Sequence, residues 1–126
     1  DGVLGDRLRA VVRTQLAFMA AVPAVPAILL ARGLQSDAAV RRALLGVMGE
    51  FGRTLASLLA EGRRSGHFRA DLEVERAALM LVALAQGTAV RWLLSDRAFD
   101  LVADGMAGVD LALAGSQVET PNRLQA

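Results

Sequence analysis

Few side chains in this sequence are equipped for covalent or proton-transfer chemistry. The only histidine, His67, sits beside Gly66 in a turn, and there is no cysteine. Of the five serines all but Ser57 fall in caps, turns or the tail. A serine hydroxyl becomes a nucleophile only beside a base, and His67 alone titrates near neutrality without help. Glu50 and Arg53 lie about one turn apart, a pair better explained as a solvated helix face. A metal at His67 would have to recruit Asp71, Glu73 or Glu75, carboxylates already explained as negative charge where a helix begins, opposite its dipole. There is no carboxylate-x-x-His pair of the kind di-iron bundles use, and no glycine-rich phosphate loop follows a strand. The residues therefore predict no enzymatic activity, no metal and no cofactor. The polar groups of interest are of a binding type. Gln15 interrupts an apolar helical stripe and Thr88 lies in an uncharged run, and each needs a partner.

The element positioning most of these residues is the stretch from 61 to 94, a helix end, a turn and a long apolar helix. No charge occurs between Arg76 and Arg91. Ala77, Leu81, Leu84, Thr88 and Trp92 fall on one side of that helix, and Met80, Ala83, Gly87 and Leu94 on another. A helix apolar nearly all round is buried nearly all round, so neighbouring helices are expected on one face and a second subunit or a ligand on part of the other.

Upstream, residues 3–22 carry Leu4, Leu8, Val11, Val12, Gln15, Phe18, Met19 and Val22 at amphipathic helical spacing. Pro23 pushes Val22 out of helical geometry and ends that helix. Pro26 suits the first turn of a short helix through Ala31 that Gly33 closes, and the turn GLQSD follows. Ser36 and Asp37 then signal a long helix with two apolar stripes, one of Val40, Leu44, Val47, Phe51, Leu55 and Leu58, the other of Leu45, Met48, Gly52 and Leu59. Gly46, Gly49 and Gly52 each cost it about 1 kcal/mol relative to alanine, which close packing or an occupant at that surface should offset. Downstream, Ser95 and Asp96 separate the central helix from a last one over residues 97–114. Its stripe is Phe99, Val102, Met106, Val109 and Leu113, and a line of mostly small residues, Leu101, Gly105, Gly108 and Ala112, suits close approach of another helix at an intersubunit contact. Gly115 closes this helix, and the remainder reads as a frayed tail.

Composition agrees with a single all-α domain. The chain has 126 residues, 54% hydrophobic and 4% aromatic, with no tyrosine. All fourteen basic residues are arginine and the net charge is +1, which does not describe a surface that coats nucleic acid. The uncharged run from Thr14 to Ala31 meets the lower length limit for a membrane span, but Pro23 and Pro26 break it into two packed helices. No membrane is expected, and a cytoplasmic location is the default.

The run LASLLAEGRRSGHFRADLEVERAALMLVALAQGTAVRWLL, followed by AFDLV and ending in DLALAG, resembles the C-terminal half of a TetR-family transcriptional repressor. The resemblance rests on the corner of Glu61, Gly62, Gly66, Phe68 and Arg69, on Asp71-Leu72 leading into the helix, and on Gln86-Gly87 running to Trp92-Leu93-Leu94. PAVPAILLARG fits the short helix before the family's long one. The similarity covers about residues 3–115. It implies a multi-helix bundle, a ligand-binding and dimerisation domain over residues 1–115 with a flexible tail at 116–126, pairing with a second copy through its last two long helices. The family's N-terminal helix-turn-helix is missing from these residues, so contact with operator DNA is expected only through that absent part.

The same resemblance implies a cavity for a small, largely apolar effector, lined by Gln15, Phe18, Met19, Phe51, Leu55, Leu81, Leu84, Thr88 and Trp92. It also implies a dimer interface of Met80, Gly87, Arg91, Leu101, Gly105, Gly108 and Ala112. Arg91 has a plainer reading, at the point where its helix emerges into water. The competing function is a helical protein-protein interaction module with no small-molecule ligand, distinguished by an exposed groove in place of an enclosed cavity.

Overall fold

The computed structural model describes residues 2–31 and 37–117, which form five α-helices. They are α1 (Gly2–Ala21), α2 (Ala24–Ala27), α3 (Ala38–Arg64), α4 (Val74–Leu94) and α5 (Leu101–Ser116), with a single 3-10 turn, Ile28–Leu30, after α2. The uncharged central segment takes the central place, for α4 contacts every other helix. Its Val74, Ala78, Leu81, Val82, Ala85, Ala89 and Trp92 are buried. The three alanines on that line let neighbouring backbones approach closely. The opposite side is bare, with Leu79, Met80 and Leu94 all more than 60% exposed, so within one chain α4 is covered on one face and not all round.

Burial on α1 follows Leu4, Leu8, Val12, Leu16 and Met19. The stripe is rotated from the expected one, because α5 as well as α3 and α4 packs on α1. Leu16 is drawn into the core, Val11 and Gln15 are left on its flank, and Phe18 and Val22 face outward. Pro23 ends the helix region as expected. The short helix starts with Ala24, however, so Pro26 occupies its third residue, where an amide hydrogen would also lack an intrahelical acceptor.

Asp37 caps α3, its carboxylate accepting from the amides of Ala39 (3.0 Å) and Val40 (3.2 Å). Only the second half of α3 is buried, through Leu55, Leu58, Leu59 and Gly62. Val40, Leu45 and Val47 are exposed, so the first half carries an apolar face without cover. Close packing within the chain explains none of the three internal glycines. A Cβ on Gly52 would sit in ordinary contact 3.7 Å from Val82, one on Gly46 would meet nothing and one on Gly49 only the flexible Arg53 side chain. Gly33, Ser36 and residues 118–126 of the expected tail lie outside the described residues.

The corner after α3 is the tightest packing in the chain. Gly66 takes φ +81°, the left-handed conformation that costs glycine least. The amides of His67 (2.9 Å) and Phe68 (3.0 Å) and the Ser65 hydroxyl (3.2 Å) all donate to the Gly62 carbonyl. Phe68 is fully buried with its ring against Gly62, where a Cβ would stand 2.3 Å from the ring. Phe68 also bridges to Gln117, and the Arg69 amide donates to the Ser116 carbonyl at 3.0 Å, tying the end of α3 to the end of α5. The Arg63 guanidinium donates to the Leu72 carbonyl at 2.9 Å and steadies the segment leading into α4.

The last helix begins later than expected. Asp96 and Arg97 both adopt φ 58°, which rules out a helix starting at residue 97. Asp100 provides the cap instead, accepting from the Ala103 amide at 3.0 Å. Gly115 lies inside α5, which continues to Ser116.

By length and composition α3 and α4 are each apolar enough to cross a membrane. In this bundle their apolar residues serve helix packing along one side, and α3 also carries Arg41, Arg42, Glu50 and Arg53, charges that are costly at bilayer depth. Replacing Gly62 by alanine is expected to destabilise the fold by about 1–3 kcal/mol through overpacking. The double substitution Gly62→Ala with Phe68→Ala should cost less than the sum of the two single changes, since the added methyl would occupy space the ring vacates. Urea denaturation of the four proteins measures both.

Candidate functional site

A partly enclosed cavity of about 60 Å³ lies where α1, α2, α3 and α4 meet. Gln15 and Met19 reach it from α1, Val25 and Pro26 from α2, Leu44, Val47, Met48 and Phe51 from α3, and Ala85 and Gln86 from α4. Among the described residues no charged side chain lines it. It adjoins an open groove of about 740 Å³ between α1 and α3, with which it shares Gln15, Val47 and Phe51. Thr14, Glu50, Arg53 and Thr54 add a polar rim to that groove. The less buried half of α3 thus forms the outer wall of both spaces.

Three of the nine residues expected in a ligand site, Gln15, Met19 and Phe51, come together in this cavity. The other six do not line it. Leu55, Leu81 and Trp92 are buried in the general core. Leu84 packs between α4 and α5, its Cδ1 3.0 Å from where a Cβ on Gly108 would stand. Phe18 is half exposed. The Thr88 hydroxyl donates to the Leu84 carbonyl at 2.6 Å, so its own helix already supplies the partner it needs. Gln86 is the polar lining residue that the sequence reading passed over. It was visible by the signal that singled out Gln15, an amide within an apolar helix.

The residues expected at a dimer interface also divide. Met80, Gly87 and Arg91 are exposed, and Gly108 and Ala112 are half buried. Leu101 and Gly105 are buried within the chain. Close approach at Gly105 serves α1, since a Cβ there would lie 2.6 Å from a Leu16 methyl. Within the chain these two positions make internal contacts. Arg91 pairs with Asp104 of its own chain and lies 4.5 Å above the Phe99 ring, the plainer of its two readings. On the bare side of α4, a depression of about 420 Å³ opens between the start of α4 and the end of α5, with Ala77, Met80, Leu84 and Leu111 among its walls and Arg69 and Arg76 at its edge.

His67 is half buried, its ring edge-on to Phe68 and close to Gly5 and Arg9. Burial first, and then neighbouring positive charge including Arg9, holds its pKa below the usual histidine value. The Arg69–Asp71 ion pair, at 3.6 Å, engages one of the carboxylates a metal would require. Among the described residues no group of three or more His, Asp or Glu is placed to hold a metal ion.

The family model for the YsiA-like protein, C-terminal region, matches residues 3–115. No match was found among curated proteins or among solved structures.

Replacing Gly105 by valine is expected to lower the melting temperature by several degrees, because Leu16 must move. Gly87→Ala, with open space around its Cβ, should raise it or leave it unchanged; differential scanning calorimetry checks both. For His67, a depressed folded-state pKa means that the unfolded chain binds the proton more tightly. Its contribution is therefore favourable above the ordinary value of 6.5 and is lost as pH falls through the lower folded value. Stability measured against pH should decline more steeply below 6.5 in the natural protein than in a His67→Gln variant.

Proposed function

The chain belongs to the YsiA-like C-terminal regions of the TetR family, a family of non-enzymatic regulatory domains, and from that premise we propose that it is the effector-binding and dimerisation part of a transcriptional repressor. The cavity carries the reading of an effector site. Its described lining carries no charge, it is bounded by four helices, and one of its walls is α1. In the proposed mechanism a small, largely apolar ligand occupies the cavity and part of the adjoining groove, and displaces α1 relative to α4. That shift is passed to an N-terminal helix-turn-helix outside this chain and alters its grip on operator DNA. Such a ligand changes the equilibrium only by the difference between its affinities for the two arrangements. The position of α1 is the variable controlled, and the contacts it would shift are the Arg9–Asp110 pair to α5 at 2.7 Å and Leu16 on Gly105.

The bare face of α4 and α5 supports the homodimer. Met80, Ala83, Gly87 and Leu94 on α4 and Ala107, Leu111 and Ala114 on α5 are all exposed, and a surface rich in alanine and glycine admits a second pair of helices at short range. The interaction-module reading would draw on the open groove between α1 and α3. It makes no use of the partly enclosed space behind that groove.

Substituting Met80 and Leu111 together by glutamate should turn a dimer into a folded monomer, because both side chains are already exposed within the chain. Sedimentation velocity with circular dichroism tests this. A double variant that still sediments as the natural protein does would remove this face from the interface. Native mass spectrometry tests the effector, the expected result being a dimer that carries a defined small adduct.

A further inference from the structure

Two amide side chains, Gln15 on α1 and Gln86 on α4, line the same cavity from opposite sides of the sequence. Both residues are half buried. Neither side chain hydrogen-bonds to a described residue, whereas the nearby hydroxyls of Thr14, Thr54 and Thr88 each donate to a carbonyl of their own helix. The remaining walls are apolar, with the Met19 and Met48 thioethers and the Phe51 ring among them. Among the described residues, the charges of Glu50 and Arg53 belong to the groove outside.

Resting on the effector-site reading above, we propose that Gln15 and Gln86 together recognise one neutral hydrogen-bonding group, a carbonyl or carboxamide, on an otherwise apolar ligand. A carbonyl oxygen accepts from an amide NH2, and a carboxamide can both accept and donate to the pair. A pure hydrocarbon would shut two amides away from water without partners, which is unfavourable. A carboxylate would lose its hydration among walls that offer no countercharge, which is worse. The chemistry selected is thus uncharged and polar at one point. The small volume of the cavity places only that end of the ligand inside, with its apolar body lying along Val47 and Phe51 in the groove. Because the two amides stand on different helices, a group held by both fixes α1 relative to α4.

The test uses three probes of similar size, acetophenone, ethylbenzene and benzoate, titrated into isotopically labelled protein. The side-chain NH2 resonances of Gln15 and Gln86 and the methyls of Met19 and Met48 are followed by NMR. Acetophenone is expected to shift both amide pairs saturably and to bind more tightly than ethylbenzene, with benzoate weakest. Gln15→Leu and Gln86→Leu should each weaken acetophenone by about three- to tenfold, the worth of one neutral hydrogen bond, without weakening ethylbenzene. Benzoate binding as well as acetophenone would overturn the inference. So would methionine methyls that shift while neither glutamine responds, a result that leaves the cavity as a ligand site. If no probe moves either set of resonances, the effector-site reading falls together with the inference.

Discussion

The contact on which the rest of the fold depends is the ring of Phe68 packed against the backbone of Gly62. Three donors converge on the Gly62 carbonyl, and the ring fills the space that a Cβ would take. This reverses the chain within a few residues at the end of a 27-residue helix. Phe68 then reaches Gln117, so the same turn closes the bundle at the far end of α5. Without this corner α4 would not be returned along α3, and the line of small residues that lets α4 touch four other helices would have nothing to meet.

That corner was legible in the sequence. Gly62 and Gly66 mark the end of a helix and a turn, and the resemblance adds Phe68 to the corner, but residue types alone do not say that its ring fills the space beside Gly62. The uncharged run after Arg76 likewise marked the central helix, but of the face assigned by spacing only Leu81 and Trp92 are buried, the buried line running instead through Ala78, Val82, Ala85 and Ala89. The start of α5 was less legible. Ser95 and Asp96 are good capping residues by type, but the left-handed backbone at Asp96 and Arg97 carries the chain on to Asp100. Nothing in the residue types there distinguishes one capping aspartate from the next.

The candidate site was legible in part, for a definable reason. Helical spacing shows which residues share a face, but it does not show which stretch of that face meets a gap and which meets another side chain. Leu55, Leu81 and Trp92 share a face with cavity residues yet lie where the helices close together. Met19, Phe51 and Gln15 lie where α2 and the first half of α3 diverge from them. The small line on α5 was subject to the same ambiguity. Gly105 and Gly108 permit a close approach, and the partners that use it, Leu16 and Leu84, are in the same chain.

The uneven burial of α3 has a bearing on cooperativity. A helix whose second half is locked into the core while its first half holds an uncovered face is one element by hydrogen bonding and two by free energy. The opening free energy of its amides should rise along its length, low from Ala38 to about Gly49 and close to the global value near Leu58 and Leu59. Gly46 and Gly49, which no neighbouring element requires, lie where the two regimes meet. The boundary of a cooperative unit then falls inside a continuous helix, and the half that opens most readily is the half that walls the cavity.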